Sequence, residues 1–244
     1  MNKYYKYRLG TAFVVVALVF LTGCASTENR SSSEDPLEPI NRAVFGFNDA
    51  VDGVVLKPVA QGYRKVTPDY FEETFARFFG NIGDVGNSAN ALLQGKFSQA
   101  GNDGARVLIN TTFGIGGLFD IAEPWGFEKS DGEDFGQTLA VWGVGRGPYV
   151  VLPILGPSSA RGSVGLVGDY FLDPVSYIDD DETRIGLTAL ETVTIRAGLL
   201  DAEALVSGDR YTFIREAYLQ RRQFLINDGQ VEDDFGEDLD FLDE

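Results

Sequence analysis

The sequence contains no histidine and a single cysteine. The first absence removes Ser-His-Asp and Cys-His catalysis, histidine general bases, and the commonest zinc and non-haem iron sites. The second excludes a disulfide framework, so stability rests on packing even in an oxidising compartment. Beyond the first 23 residues no segment approaches the twenty or so apolar residues of a spanning helix. A series of ten-residue alternating strands, the mark of an outer-membrane barrel, is also missing. So are a G-x-S-x-G elbow, a Walker loop and a Rossmann fingerprint; Gly114, Gly116 and Gly117 lack its third position. Glu133-Asp134 is a carboxylate pair, but adjacent acids on a loop are expected to be solvated rather than to run acid/base chemistry. The expectation is a non-enzyme with no metal and no cofactor.

Positive charge is scarce. Twenty Lys and Arg face 37 Asp and Glu. Three of the basic residues, Lys3, Lys6 and Arg8, fall in the first 23 positions, so the remainder carries 17 − 37 = −20. Such a body repels nucleic acid and anionic lipid surfaces, and membrane contact then depends on an anchor and apolar surface. After those 23 residues about 220 remain, enough for one domain with a core.

What is present at the N-terminus has a clear physical order. Lys3, Lys6 and Arg8 precede the apolar stretch Ala12 to Leu21, which is too short to cross a bilayer but right for a signal segment. Leu21-Thr22-Gly23-Cys24 then resembles the lipobox of bacterial lipoproteins, with residues 1–23 removed and Cys24 acylated. Ala25 in place of aspartate resembles lipoproteins forwarded to the outer membrane. Several acyl chains, at about 0.8 kcal/mol per buried CH₂, would anchor the chain stably. Residues 24–34 form a lipidated tether, polar and of limited reach, roughly 30 Å when extended.

The body reads as mainly α. Asp35-Pro36-Leu37-Glu38 looks like a helix start with an aspartate cap. Leu37, Ile40, Val44, Phe47 and Val51 come next at helical spacing, with Asn41, Asn48, Asp49 and Asp52 on the remaining surface. Thr67-Pro68 opens a second helix, striped by Phe71, Phe75, Phe78, Ile82, Val85, Ala89 and Leu92 and ended by Gln94-Gly95. Gly80, Gly83 and Gly86 inside it predict a close approach or a kink. Ser98 to Thr112 reads as a third helix. The stretch Trp142 to Arg161 is broken by Gly143, Gly145, Gly147, Pro148, Pro153, Gly156 and Pro157; Tyr149 to Leu155 is a strand candidate that Pro153 weakens. Asp179 to Glu182 suit a helix N-terminus, and Gly186, Leu190, Val193, Ala197 and Leu200 form the stripe of that helix. Asp209 opens a last helix that Gly229 stops. Residues 230–244 form an acidic tail, read as disordered; eight of the last thirteen are acids.

Several segments together resemble the VacJ/MlaA family of outer-membrane lipoproteins. They include Asp35 to Arg42 with Phe45 to Asn48, Asn90 to Gly95, Asn110 to Asp120, and Glu133 to Leu139. Gly143 to Tyr149, Leu152-Pro153, Gly156 to Ser159, and Arg215 to Tyr218 with Arg221, Arg222 and Phe224 complete the set. The likeness covers residues 35–229. Departures are Gly162 after Arg161, Asp209-Arg210-Tyr211 in place of Asp-Pro-Tyr, and Ser130-Asp131-Gly132 where a histidine is common.

The resemblance implies a single helical ring-like domain in the inner leaflet of the outer membrane, with Gly/Pro-rich loops around an amphipathic channel. It implies removal of misplaced phospholipids from the outer leaflet and their transfer to a periplasmic lipid-binding carrier, beside a trimeric porin. The channel candidates are Gly143, Gly145, Gly147, Pro148, Tyr149, Leu152, Pro153, Ser158, Ser159 and Arg161. In that set Ser158, Ser159 and Arg161 would lie near a phosphate; the simpler expectation pairs Arg161 with an acid. Asn41, Phe45, Phe47 and Asn48 are the candidates for a channel-gating helix. The alternative function is a porin-docking structural lipoprotein with no channel of its own.

Overall fold

The computed structural model describes residues 35–230. The expected signal segment, the lipidation site Cys24, the tether and the tail from residue 231 lie outside the described residues.

The described chain is mainly α-helical, as expected. Helix α1 (Glu38–Val51) continues through a π-helical turn, Asp52–Leu56, into α2 (Lys57–Val66). Pro68, extended at φ −61° and ψ 145°, then resets the chain and caps α3 (Asp69–Leu93). Gly95, at φ +80°, makes the turn into α4 (Phe97–Phe113), which lies along α3. After a glycine-rich link come α5 (Phe135–Val141), the hairpin β1 (Tyr149–Leu152) and β2 (Gly156–Ser159), and α6 (Ala160–Leu172). Helices α7 (Asp181–Gly198) and α8 (Arg210–Ile226) complete the order. The hairpin is antiparallel, with Tyr149 opposite Ser159 and Leu152 opposite Gly156. Pro153 ends β1 three residues before the sequence candidate does, because it cannot donate to a ladder.

Several expectations need correction. Asp35 is no helix cap: Leu37 occupies that position, and the Asp35 side chain accepts from Asn41 Nδ2 and from the Tyr211 hydroxyl instead. Nothing comes within 4 Å of a Cβ placed at Gly83 or Gly86, and only the Lys129 ammonium is near Gly80, so no tight packing explains these glycines. Tight packing occurs at Gly165, where a Cβ would meet the Gly136 amide nitrogen at 2.6 Å. There α5 and α6 touch backbone to backbone. Helix α6 itself has no expectation to match, since its low-polarity run shows no clear period.

The largest correction concerns which way the helices face. Among the described residues, fifteen polar or charged residues are buried against ten apolar ones, and three of the ten are larger than valine. Of the six largest fully buried side chains, five are polar: Gln137, Asn90, Thr138, Asp35 and Asp103. In α1 the buried residue is Asn41, while Ile40 and Phe47 of the apolar stripe are exposed. In α4 the buried residues are Ala100, Asp103, Arg106 and Asn110, while Phe97 and Leu108 are 71% and 70% exposed. A period of 3.6 marks a face but not the medium that it meets. These helices turn polar faces inward.

The buried polar groups are satisfied largely by one another, as they must be. Arg106 Nη2 donates to Asp120 at 2.6 Å, Nη1 to the Phe127 carbonyl at 2.6 Å, and Nε to Asp84 at 3.4 Å. Asn110 accepts from the amides of Ile121 and Ala122 and donates to Asp120, tying α4 to the loop beyond it. Glu133, expected to be solvated, is buried and accepts from Gln94, Lys96 and Gln99. Asp134 caps α5 through the Gln137 amide and pairs with Arg222. Two acids adjacent in sequence thus serve two separate networks.

Candidate functional site

The candidate residues converge on the hairpin and its two flanks. On one flank, Asn41 Nδ2 donates to the Tyr149 carbonyl at 3.0 Å, and its Oδ1 accepts from the Val151 amide at 2.9 Å. Asn48 repeats the pattern, donating to the Leu152 carbonyl at 2.9 Å and accepting from the Ile154 amide at 2.7 Å. Seven helical residues advance about 10.5 Å. Three strand residues advance about 10 Å. The match lets two carboxamides on one helix stripe hold β1 at Tyr149 and Val151 and the turn that follows it at Leu152 and Ile154. Ile154, a β-branched residue at φ +67°, is fixed by this bond despite an unfavourable backbone region.

Beneath the clamp lies the main apolar cluster, Tyr149, Val151 and Tyr211, with Val44, Phe45, Tyr218 and Leu219 against it. Phe45 meets the Tyr211 ring edge-on at 5.6 Å. Burial, then the nearby Asp35 charge, pushes the Tyr149 phenol up to about 12. Tyr149 is therefore a neutral core residue, not part of a cavity wall. Phe47 lies exposed on the opposite side of α1.

On the other flank, Gly143 and Gly145 lie in the exposed loop before the hairpin. Gly147, at φ +67°, packs against Ala160, and the exposed Pro148 accepts from the Ala160 amide. Leu152 is partly buried and Pro153 exposed. Ser158 is buried; Ser159 caps α6, accepting from the Gly162 amide at 3.0 Å. Arg161 Nη1 donates to the Val144 carbonyl at 2.9 Å, but no carboxylate pairs with Arg161 among the described residues. The simpler expectation for Arg161 is therefore overturned. Ser159 and Arg161 border a cavity of about 180 Å³ with Ala140, Arg146, Tyr218, Leu219, Arg222 and Gln223. Arg146, Arg222, Tyr218 and Asp134 are the site's residues missed by sequence reasoning as chemistry. They come from a loop, one face of α8 and a helix cap, and no local spacing links them.

A second cavity, about 430 Å³, opens between α1, α7 and α8. Phe45, Leu199, Val206, Phe213 and Ile214 give it mostly apolar walls. Its lining also holds ion pairs: Arg196 with Asp52 at 2.6 Å and Glu203 at 3.0 Å, and Arg210 with Asp49 at 2.7 Å. The hydrogen bonds from Arg196 raise its pKa above the ordinary arginine range. The arrangement offers an apolar cleft and a basic pocket on either side of one hairpin. No group of three or more metal-ligating side chains occurs among the described residues, and no helix among them is long and apolar enough to cross a membrane.

Comparison with known proteins agrees with this geometry. Residues 33–225 match the family model described as MlaA lipoprotein. The chain is 33% identical over 230 residues to the intermembrane phospholipid transport system lipoprotein MlaA of Escherichia coli K12, spanning 92% of this chain and 91% of that one. It is 38% identical over 193 residues to an uncharacterised protein of Rickettsia typhi, covering 78% and 76%. A solved structure described as the structural basis for maintenance of bacterial outer membrane lipid asymmetry superposes with a TM-score of 0.71 at 34% identity, covering 81% of this chain and all of that one. The chain belongs to the MlaA lipoprotein family.

Proposed function

We propose that this protein is an outer-membrane lipoprotein that removes mislocalised phospholipids from the outer leaflet and passes them to a periplasmic lipid carrier. The observation that carries this reading is the inverted burial: polar side chains inward, and Phe97, Leu108, Phe113, Trp125, Phe171 and Ile185 outward. Apolar surface of this extent is stable where lipid replaces water, since each side chain moved out of water gains about 1.5–3 kcal/mol. A polar interior then offers headgroups a path that the hydrocarbon core denies them. The family relationship supports the same reading, because the E. coli relative is named for intermembrane phospholipid transport.

In this reading Cys24 carries the acyl anchor, and the helices ring an amphipathic passage in the inner leaflet. The loop from Gly143 to Pro148 and the clamp of α1 on β1 frame that passage beside a trimeric porin. Transport breaks no bond, so no catalytic group is required. Residues 1–23 are the signal peptide and 230–244 a solvating tail.

The test is to expose intact cells to a membrane-impermeant, amine-reactive label. Deleting the protein increases labelling of aminophospholipid, and the wild-type sequence reverses it. Unchanged labelling on deletion would contradict the reading. Reversal by a lipidated variant that still docks porin but binds no phospholipid would instead support a scaffold.

A further inference from the structure

We propose that the cavity framed by Arg146, Arg161 and Arg222 holds the phosphodiester of a glycerophospholipid, with its acyl chains outside along Val141, Trp142 and Val144. The inference rests on the phospholipid-transport reading and assigns that ligand a site.

The first observation is the sign of the charge. In a chain with 37 acidic and 20 basic residues, three arginines and no carboxylate line this cavity. Three other cavities among the described residues carry acids in their walls: Asp201 and Glu203, Asp49 and Asp52, or Asp84 and Asp120. Asp134 is not among the lining residues and pairs with Arg222; Arg146 and Arg161 have no carboxylate within 4.0 Å among the described residues.

The second is how Arg161 is presented. Its Nη1 is fixed on the Val144 carbonyl at 2.9 Å, while its Nε is buried and has no hydrogen-bond partner. Burial and the neighbouring Arg222 push the guanidinium below its ordinary pKa range. An anion relieves both costs, and a guanidinium fork suits phosphate oxygens. The amides opening α6 are already engaged: Ala160 with the Pro148 carbonyl at 3.0 Å, Arg161 with the Arg146 carbonyl at 3.1 Å, and Gly162 with Ser159 Oγ at 3.0 Å. Recognition therefore falls to side chains, with the Ser159 and Tyr218 hydroxyls and the Gln223 amide in the same wall.

The third is size and rim. A volume of about 180 Å³ equals roughly six waters. That suits a phosphate and its glycerol but excludes two acyl chains. Beside it Val141, Trp142 and Val144 are about half exposed, giving the tails an apolar surface next to the basic pocket.

The test uses the full-length lipoprotein extracted in detergent and depleted of phospholipid. Native mass spectrometry tracks titration with dimyristoylphosphatidylglycerol, dimyristoylglycerol and inorganic phosphate. The wild type is expected to bind the phospholipid at least tenfold more tightly than dimyristoylglycerol or phosphate alone. Arg161→Gln and Arg146→Gln each weaken phospholipid binding at least tenfold, Arg161→Lys recovers part of it, and Arg184→Gln on α7, outside the cavity lining, matches the wild type. Arg146 lies in an exposed loop, so its variant reports even if Arg161→Gln fails to fold. Undiminished phospholipid binding in Arg146→Gln and in whichever Arg161 variant folds would overturn this site but leave transport standing. Equal affinity for inorganic phosphate would make it a free-anion site and overturn the lipid assignment. A wild type that binds no phospholipid would overturn the transport reading itself.

Discussion

Asn41 and Asn48, seven residues apart on α1, grip β1 and the turn after it through their carboxamides, each donating to one backbone carbonyl and accepting from one backbone amide. The hairpin therefore depends on a helix for these bonds. Asn41 is buried with Asp35, whereas the bond to Ile154 is exposed. Stranding a buried donor and acceptor costs about 1–3 kcal/mol each. Asn41→Ala is expected to destabilise the protein by about 3 kcal/mol and Asn48→Ala by about 1 kcal/mol, read from urea unfolding in detergent. Asn41→Asp should be no better than alanine, since it loses the donor to Tyr149 and places a charge beside Asp35. Equal, small losses for the two alanine variants would refute the clamp.

Arg106 provides the corresponding test in α4. Its charge is buried between Asp84 and Asp120, with side-chain exposures of 3%, 5% and 17%. Removing one member of a buried ionic cluster typically costs about 3–5 kcal/mol, because the remaining charges are stranded. Arg106→Met is expected to fall in that range. Adding Asp84→Asn and Asp120→Asn should restore much of the loss, a coupling readable as non-additive shifts in unfolding midpoint.

Acid dependence arises from two carboxylates of opposite character. Burial raises the Asp134 pKa, but hydrogen bonds and charge from Arg222 outweigh it and leave the group below its ordinary range. It adds stability above its unfolded pKa, about 3.9, and that contribution disappears as pH falls through the lower folded value. At Asp169 burial dominates and the folded pKa is raised. Its favourable contribution is full below about pH 3.9 and lost as pH rises through the folded value. Asp169 Oδ1 accepts both the Phe135 amide and Asn90 Nδ2, so an asparagine oxygen keeps both bonds. Asp169→Asn is thus expected to gain stability relative to wild type at pH 7 and none at pH 3, whereas Asp134→Asn loses stability at pH 7 and flattens the acid limb. Urea titrations at the two pH values check both signs.

The outward apolar surface makes its own prediction. Leu108→Glu and Phe97→Glu are expected to leave stability in detergent nearly unchanged, because neither side chain is packed. In a Cys24→Ser background, where no acyl anchor forms, each should lower partitioning into phospholipid vesicles at least tenfold in a flotation assay. Loss of folding with unchanged partitioning would place these residues in a core instead.

Much of this was legible in the sequence, and the failures share a cause. The stripe Phe71 to Leu92 marked α3, and Pro68 and Gly95 marked its ends. Asp180 accepts from the Thr183 amide, fulfilling the acidic start expected for α7. In α1 the stripe was visible but its direction was not, because hydrophobic spacing cannot distinguish a protein core from lipid. Neither could local reading join Arg161 on α6, Arg222 on α8 and Arg146 in a loop, since the hairpin and two helices must fold before they meet. Family-level likeness supplied the mainly helical architecture. The inward polar faces and the cavity's other arginines emerge only in the folded chain.

The most direct measurement uses the two tryptophans, Trp125 and Trp142, which are 57% and 54% exposed. With each reporting alone, after Trp142→Phe or Trp125→Phe, fluorescence of the full-length lipoprotein in bilayers is quenched by brominated acyl chains or by aqueous acrylamide. Strong quenching by bromolipid with little by acrylamide is the result that the proposed lipid-facing arrangement predicts. Full acrylamide quenching with none from bromolipid would put the apolar surface in water and contradict the inverted, lipid-facing arrangement.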